Sequence, residues 1–229
     1  MYVSRGSGFW GAMPPVIKNL VMINAVMLVI TFLTKDFMYE KFALFYFDSP
    51  LFKPYQLVTH MFMHGGFMHL LFNMYALVIF GIALEQVWGS KKFFIYYMVT
   101  GLGAAALHSF VMYLEASAYQ TAIEAGNMAA VAAAQNLERL NLTPTVGASG
   151  AVYGVLLAYG MLFPNNRLQL LFPPVALKAK WFVMIFAAIE LYMGFSNTGG
   201  NVAHFAHLGG MLFGYLLIIH WKRNNKMYF

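Results

Sequence analysis

The chain is predicted to be all-α and polytopic in a membrane. Three observations carry this. Hydrophobic residues make up 61% of the 229 and charged residues 10%, against about 25% charged in an ordinary soluble domain. So few charges cannot cover a surface that faces water. Apolar stretches approaching the roughly 20 residues that cross a bilayer occur six times. The 14 Lys and Arg then sort unevenly between the two sides of such a topology.

The spans are expected at about Val16–Leu33, Gly66–Val87, Phe93–Tyr113, Ala148–Phe163, Trp181–Phe195 and Val202–Trp221. The first is entered through "MPP", where proline suits a helix start. Its apolar run comes late and lacks a clear cleavage site, so Leu20–Leu33 reads as a retained signal anchor. The second ends at "EQVWGSKK", the fourth is short and stopped by "PNNR", and the sixth is closed by "KRNNK". The first connection, residues 34–64, is long, aromatic and broken by Pro, Asp and Lys. It reads as a partly submerged interfacial loop. Glu115–Thr143 is Ala-rich and reads as an insert of one or two surface helices of unassigned role. Ser196–Asn201 is short, uncharged and flexible. Residues 1–229 are taken as one membrane domain.

If the N-terminus is cytoplasmic, ten Lys and Arg fall inside (Arg5, Lys18, Lys91, Lys92, Arg167, Lys178, Lys180, Lys222, Arg223, Lys226) and four outside (Lys35, Lys41, Lys53, Arg139). The positive-inside rule therefore places both termini in the cytoplasm. The starts of spans two, four and six then share the outer face. The net charge of +6 reads as this asymmetry, and with no basic tract nucleic acid is not an expected partner. The absence of cysteine excludes disulfides and thiolate metal sites.

Ionisable groups at membrane depth are costly and mark function by default. His60, His64 and His69 surround the start of the second span, His204 and His207 lie early in the sixth, and Ser149 opens the fourth. At about 1.5 Å per residue, Ser149, His69 and His207 fall within the first two turns of their helices. A neutral imidazole can take a serine proton. His69 and Asn73, four apart, share a helix face and can both donate to an oxyanion. The backbone N–H groups at the start of the fourth span add donors. Glu190 is the one mid-membrane carboxylate on the outer half, and position alone does not make it a partner of the base. Ser149 also admits a packing reading, within a small-residue face of Gly147, Gly150 and Gly154. The five histidines admit a metal reading, His60 and His64 being four apart. No H-E-x-x-H and no neighbouring acid supports it, and neither metal nor cofactor is expected. A transporter with a histidine relay lacks the expected inverted repeat. Glu85 reads as structural, holding a helix end or loop.

Three motifs in order resemble those of the rhomboid family of intramembrane serine proteases: "HMFMHGGFMHLLFNM", "GASGAVYG" and "AHLGGMLFG". The resemblance runs from the first span to the sixth and implies the minimal six-helix prokaryotic form, a six-transmembrane-helix rhomboid bundle. It implies a Ser–His dyad without a third acid. By the motifs, Ser149 is the nucleophile. His207 is the base, because Gly210 and Gly214 follow it by three and seven residues. His204 fails that spacing and is an additional histidine one turn away. His69 and Asn73 match oxyanion side chains, with Gly147 beside them in the substrate-binding set. Tyr153 matches an aromatic packed on the base. His64, Gly210 and Gly214 take supporting roles, His64 by hydrogen bonding in its loop and the glycines by placing the sixth span against the fourth. The implied partners are the lipid bilayer and membrane-protein substrates with a transmembrane segment. The implied location is a prokaryotic inner membrane, with the site opening to the outer face. The 196–201 loop and the end of the fifth span are a plausible gate. A catalytically silent relative that binds or escorts transmembrane clients is the alternative, and such relatives are expected to lose the serine or the histidine.

Overall fold

Apolar residues outside and polar residues inside are the signature of a helix solvated by lipid. The computed structural model has that inversion from its first long helix onward. It describes residues 8–126, 129–169, 175–196 and 201–224. A short α1 (Phe9–Ala12) precedes α2 (Pro15–Leu33), which exposes Val26, Val29 and Phe32 and buries Asn24 and Thr31. The two polar side chains bond back to their own helix, Asn24 Nδ2 to the Leu20 carbonyl (2.7 Å) and Thr31 Oγ1 to that of Met27 (2.8 Å).

The chain continues through α3 (Lys35–Phe42) and α4 (Gln56–Thr59), which runs into a 3₁₀ turn at His60–Phe62. The long helices follow as α5 (Phe67–Trp88), α6 (Ser90–Glu124), α7 (Ala129–Leu142), α8 (Ser149–Leu162), α9 (Ala179–Ser196) and α10 (Asn201–Arg223). The fold is thus a helical, multi-pass membrane bundle, and five of the six expected spans agree with their helices to within three residues. Between α8 and α9 lies an antiparallel ribbon, Arg167–Gln169 against Ala176–Lys178, for which the sequence carried no signal.

The third span departs furthest. It was expected to stop at Tyr113, with a surface insert beyond, but α6 is one helix of 35 residues. That is about 50 Å long, against a hydrocarbon core of about 30 Å. Ala104 to Ala125 contains neither Gly nor Pro, and alanine is the best helix former. The helix ends only where Gly126 adopts φ +64°, a left-handed stop. The projecting part folds back through α7, and Met112, Ala116 and Leu140 pack there with Tyr46 of the first loop.

The shortest span is the central one. α8 has 14 residues and buries Gly150, Ala151, Val152, Gly154, Val155, Leu156, Ala158 and Gly160 among α5, α6, α9 and α10. At about 21 Å it is shorter than a hydrocarbon core of about 30 Å, so non-helical chain at one of its ends must sit at membrane depth. Backbone at that depth needs protein partners. The first loop supplies them. Leu44 and Thr145 exchange both backbone hydrogen bonds (2.9 and 2.8 Å), and Gly147 N–H donates to the His60 carbonyl (3.0 Å).

Glu85 closes the other end of the bundle. Buried near the C-terminus of α5, its carboxylate accepts the Val16 and Ile17 N–H groups (3.0 and 2.9 Å) and the Ser90 hydroxyl (2.6 Å). It caps the start of α2, where helix N–H groups lack partners and the dipole favours a negative charge. Replacing Glu85 by Ala is expected to lower stability by about 3 kcal/mol, with Glu85→Gln intermediate. Unfolding curves of detergent-solubilised protein measure this, and an unchanged Glu85→Ala curve would refute the cap.

Candidate active site

α8 and α10 meet through bare backbone. A Cβ built on Gly210 of α10 would lie 1.8 Å from the Gly150 carbonyl oxygen of α8, so this contact admits only glycine. It brings the neighbouring turns together, and His207 Nε2 lies 2.8 Å from Ser149 Oγ. One turn along α8, the Tyr153 ring stacks on the His207 ring, with centroids 4.2 Å apart and planes 5° from parallel. Ser149 and His207 are both half-buried. Gly214 faces elsewhere than expected, toward Tyr96 and Thr100 of α6 rather than α8.

A cavity of about 40 Å³ lies beside the pair, lined among others by Leu44, His60, Gly147, Ser149, Ala206 and His207. That is room for about three waters. Gly147 has φ +141°, and a Cβ there would lie 3.1 Å from His69 Nε2 and 3.4 Å from Ser149 Oγ. The backbone conformation therefore favours glycine, and a side chain would in addition crowd the His69 ring. His69 Nδ1 accepts the Gly65 N–H (3.3 Å), which leaves its Nε2 as the donor facing Gly147 and Ser149. Asn73 donates one amide hydrogen to the His69 carbonyl (2.9 Å) rather than toward Ser149, leaving its second for another acceptor. α8 has no side-chain cap at Ala148, so its first N–H groups remain available. A serine hydroxyl, an imidazole within hydrogen-bond reach and several donors thus share one small space. That arrangement suits acyl transfer.

Behind the base sits a cluster drawn from three helices. Glu190 of α9 is buried, and its Oε1 accepts a hydrogen bond from the Tyr153 hydroxyl. Its Oε2 lies 2.6 Å from His204 Nδ1 and 3.0 Å from His207 Nδ1. The His204 contact is a hydrogen bond. The His207 contact is within ion-pair range but misses hydrogen-bond angles. Ligand atoms of Glu190, His204 and His207 lie within 4.8 Å of one another, the one such group among the described residues. Of the five histidines weighed in the sequence, His204 and His207 belong to it and His60, His64 and His69 do not. A cation on His207 Nδ1 would leave Nε2 protonated and unable to accept.

His60 and His64 belong to the loop that supports α8. His60 Nδ1 donates to the Gln56 carbonyl (2.8 Å), and burial pushes its pKa down to about 4. His64 was expected to hold its loop by hydrogen bonds. Neither ring nitrogen has one of ordinary geometry, and the ring packs edge-on against His69, centroids 5.0 Å apart. Burial, then the neighbouring His69, push His64 down to about 4, the Phe62 backbone pulling the other way. His108 went unnoticed in the sequence. Buried in α6, its Nε2 meets Thr145 Oγ1 at 2.8 Å and so steadies the segment leading to Ser149. A histidine inside the apolar "AAALHSF" was its available signal. Residues 197–200, most of the suggested gate, lie outside the described residues.

Comparison with known proteins returns one family model, the Rhomboid domain, over residues 51–223. The chain is 32% identical over 156 residues to Rhomboid protein 1, mitochondrial, of Saccharomyces cerevisiae, covering 68% of this chain and 38% of that protein. It is 27% identical to Rhomboid protease GluP of Bacillus subtilis, covering 70% of this chain and 25% of that protein. It is 26% identical to Rhomboid protease AarA of Providencia stuartii, covering 69% and 53%. The chain thus spans between a quarter and about half of the length of these relatives.

The buried histidines predict an acid limb in stability. The folded pKa values of His60 and His64, about 4, lie below the ordinary 6.5. Between these values the unfolded chain binds more protons, so their contribution is complete above about pH 6.5 and is lost as pH falls toward 4. Unfolding in detergent across this range should show the loss, and His64→Phe should flatten the slope. Equal slopes would show that His64 contributes nothing to it.

Proposed function

We propose, since the chain belongs to the rhomboid family, that it is an intramembrane serine endopeptidase acting through a Ser149–His207 dyad. Relatives named as proteases support the protease reading. The observation that carries it is the 2.8 Å contact between His207 Nε2 and Ser149 Oγ, made across 58 residues of sequence. Ser149 attacks the scissile carbonyl while His207 takes its proton. His69 Nε2–H, the Ser149 backbone N–H and the free Asn73 amide hydrogen receive the developing oxyanion. His207 then protonates the leaving amine, and water from the cavity hydrolyses the acyl-enzyme.

The proposed substrates are membrane proteins whose transmembrane segment unwinds locally, with a small residue before the cut. The proposed setting is a prokaryotic inner membrane with both termini cytoplasmic and the site open to the outer face. The Lys and Arg asymmetry supports this orientation. The client-binding alternative gains no support from a site that keeps serine and histidine in contact.

Purified protein in liposomes with a labelled transmembrane substrate tests the dyad. Ser149→Ala and His207→Ala should each lower cleavage by at least about 10³-fold, and both should lose labelling by a fluorophosphonate probe. His204→Ala should cost less than about tenfold. Cleavage that survives Ser149→Ala, or that EDTA stops, would refute the dyad.

A further inference from the structure

We propose that Glu190 is the positioning residue of this site, holding the Nδ1 side of His207 so that Nε2 stays free to take the Ser149 proton. The proposal rests on the dyad reading above and adds a third group to it.

The argument begins with the base. A neutral imidazole has one proton, and if it sits on Nε2 the ring cannot accept from Ser149. His207 Nδ1 is buried, and the group facing it is Glu190 Oε2 at 3.0 Å. Two lone pairs would repel at that distance. A proton on Nδ1 turns the contact into attraction and leaves Nε2 as the acceptor. The angle is not yet that of a good hydrogen bond, and contacts of this kind tighten when substrate binds.

The carboxylate is itself braced. Tyr153 donates to Oε1 from α8, and His204 Nδ1 reaches Oε2 at 2.6 Å from α10. All three neighbours of Glu190 can be donors, which matches an ionised carboxylate, an acceptor only. Tyr153 also stacks on His207, so one side chain fixes both the base and its acid. The titratable groups facing His207 are His69 from α5, Tyr153 from α8, Glu190 from α9 and His204 from α10, with His60 and His108 across the cavity. Glu190 is the one acid among them.

In the step itself, the Ser149 O–H bond breaks as Oγ bonds the substrate carbonyl carbon. The proton goes to His207 Nε2, and the imidazolium keeps Nδ1–H against Glu190. Glu190 stays ionised throughout. The Nε2 proton passes to the leaving nitrogen as its bond to carbon breaks.

A purely structural carboxylate, pinning α9 to its neighbours, makes different predictions. Glu190→Gln keeps the shape and should lower kcat by about 10²-fold with little change in KM, and Glu190→Asp should recover part of it. A folded Glu190→Gln with wild-type kcat would overturn the proposal. ¹⁵N NMR of histidine-labelled protein provides a readout that needs neither substrate nor variant at position 190. His207, assigned through His207→Gln, should show the Nδ1–H tautomer, and the Nε2–H tautomer would overturn the proposal. If no substrate is cleaved and no fluorophosphonate binds, the proteolytic reading falls while the tautomer result still decides this one.

Discussion

The contact of the Gly210 backbone with the Gly150 carbonyl is the constraint on which the rest depends. Lipid tails are as apolar as leucine, so burying side chains does not by itself drive helices together in a membrane. Close approach and dispersion take its place, and small residues permit both. The same device recurs around α8. Gly150 rests on Ala104, Gly154 on Thr100, and Gly209 on the backbone at Gly103 and Ala104. Tyr96, admitted beside Gly214, donates its hydroxyl to the Gly154 carbonyl at 2.8 Å. α6, α8 and α10 are therefore one packed unit, and the position of His207 relative to Ser149 is a property of that unit. The packing reading of the glycines and the chemical reading of the serine describe one arrangement.

The second constraint is depth. A helix of 14 residues is shorter than the hydrocarbon core, and non-helical chain at membrane depth must find partners for every polar group. The first loop answers with backbone bonds at Leu44 and His60, and α6 answers with His108. A loop read from the sequence as partly submerged is thus part of the wall of the site. Burial keeps His60 and His64 neutral at ordinary pH, so they add no positive charge near the cavity.

Spans were legible because hydropathy reports directly on contact with lipid. The preference for His207 over His204 came from the family motif and its following glycines, and His207 is the one whose Nε2 lies 2.8 Å from Ser149 Oγ. The end of α6 was not. Its expected limit at Tyr113 marks where lipid compatibility falters, just before Glu115, whereas the helix itself stops for a conformational reason at Gly126. The partners of Glu190 were also hidden. They come from α8 and α10, 37 residues before it and 14 and 17 after it, and no local pattern encodes that meeting. His64 misled because a polar side chain suggests a hydrogen bond, while its pocket offers an aromatic edge.

The cap at Glu85 imposes an order of events. Val16 and Ile17 receive their partner from a residue 69 and 68 positions later. During synthesis α2 emerges first, and its leading N–H groups then have only interfacial water to turn to. The cap is completed only once α5 has been made and packed beside α2. Insertion of the first span and its final anchoring are therefore separate steps, joined by one carboxylate.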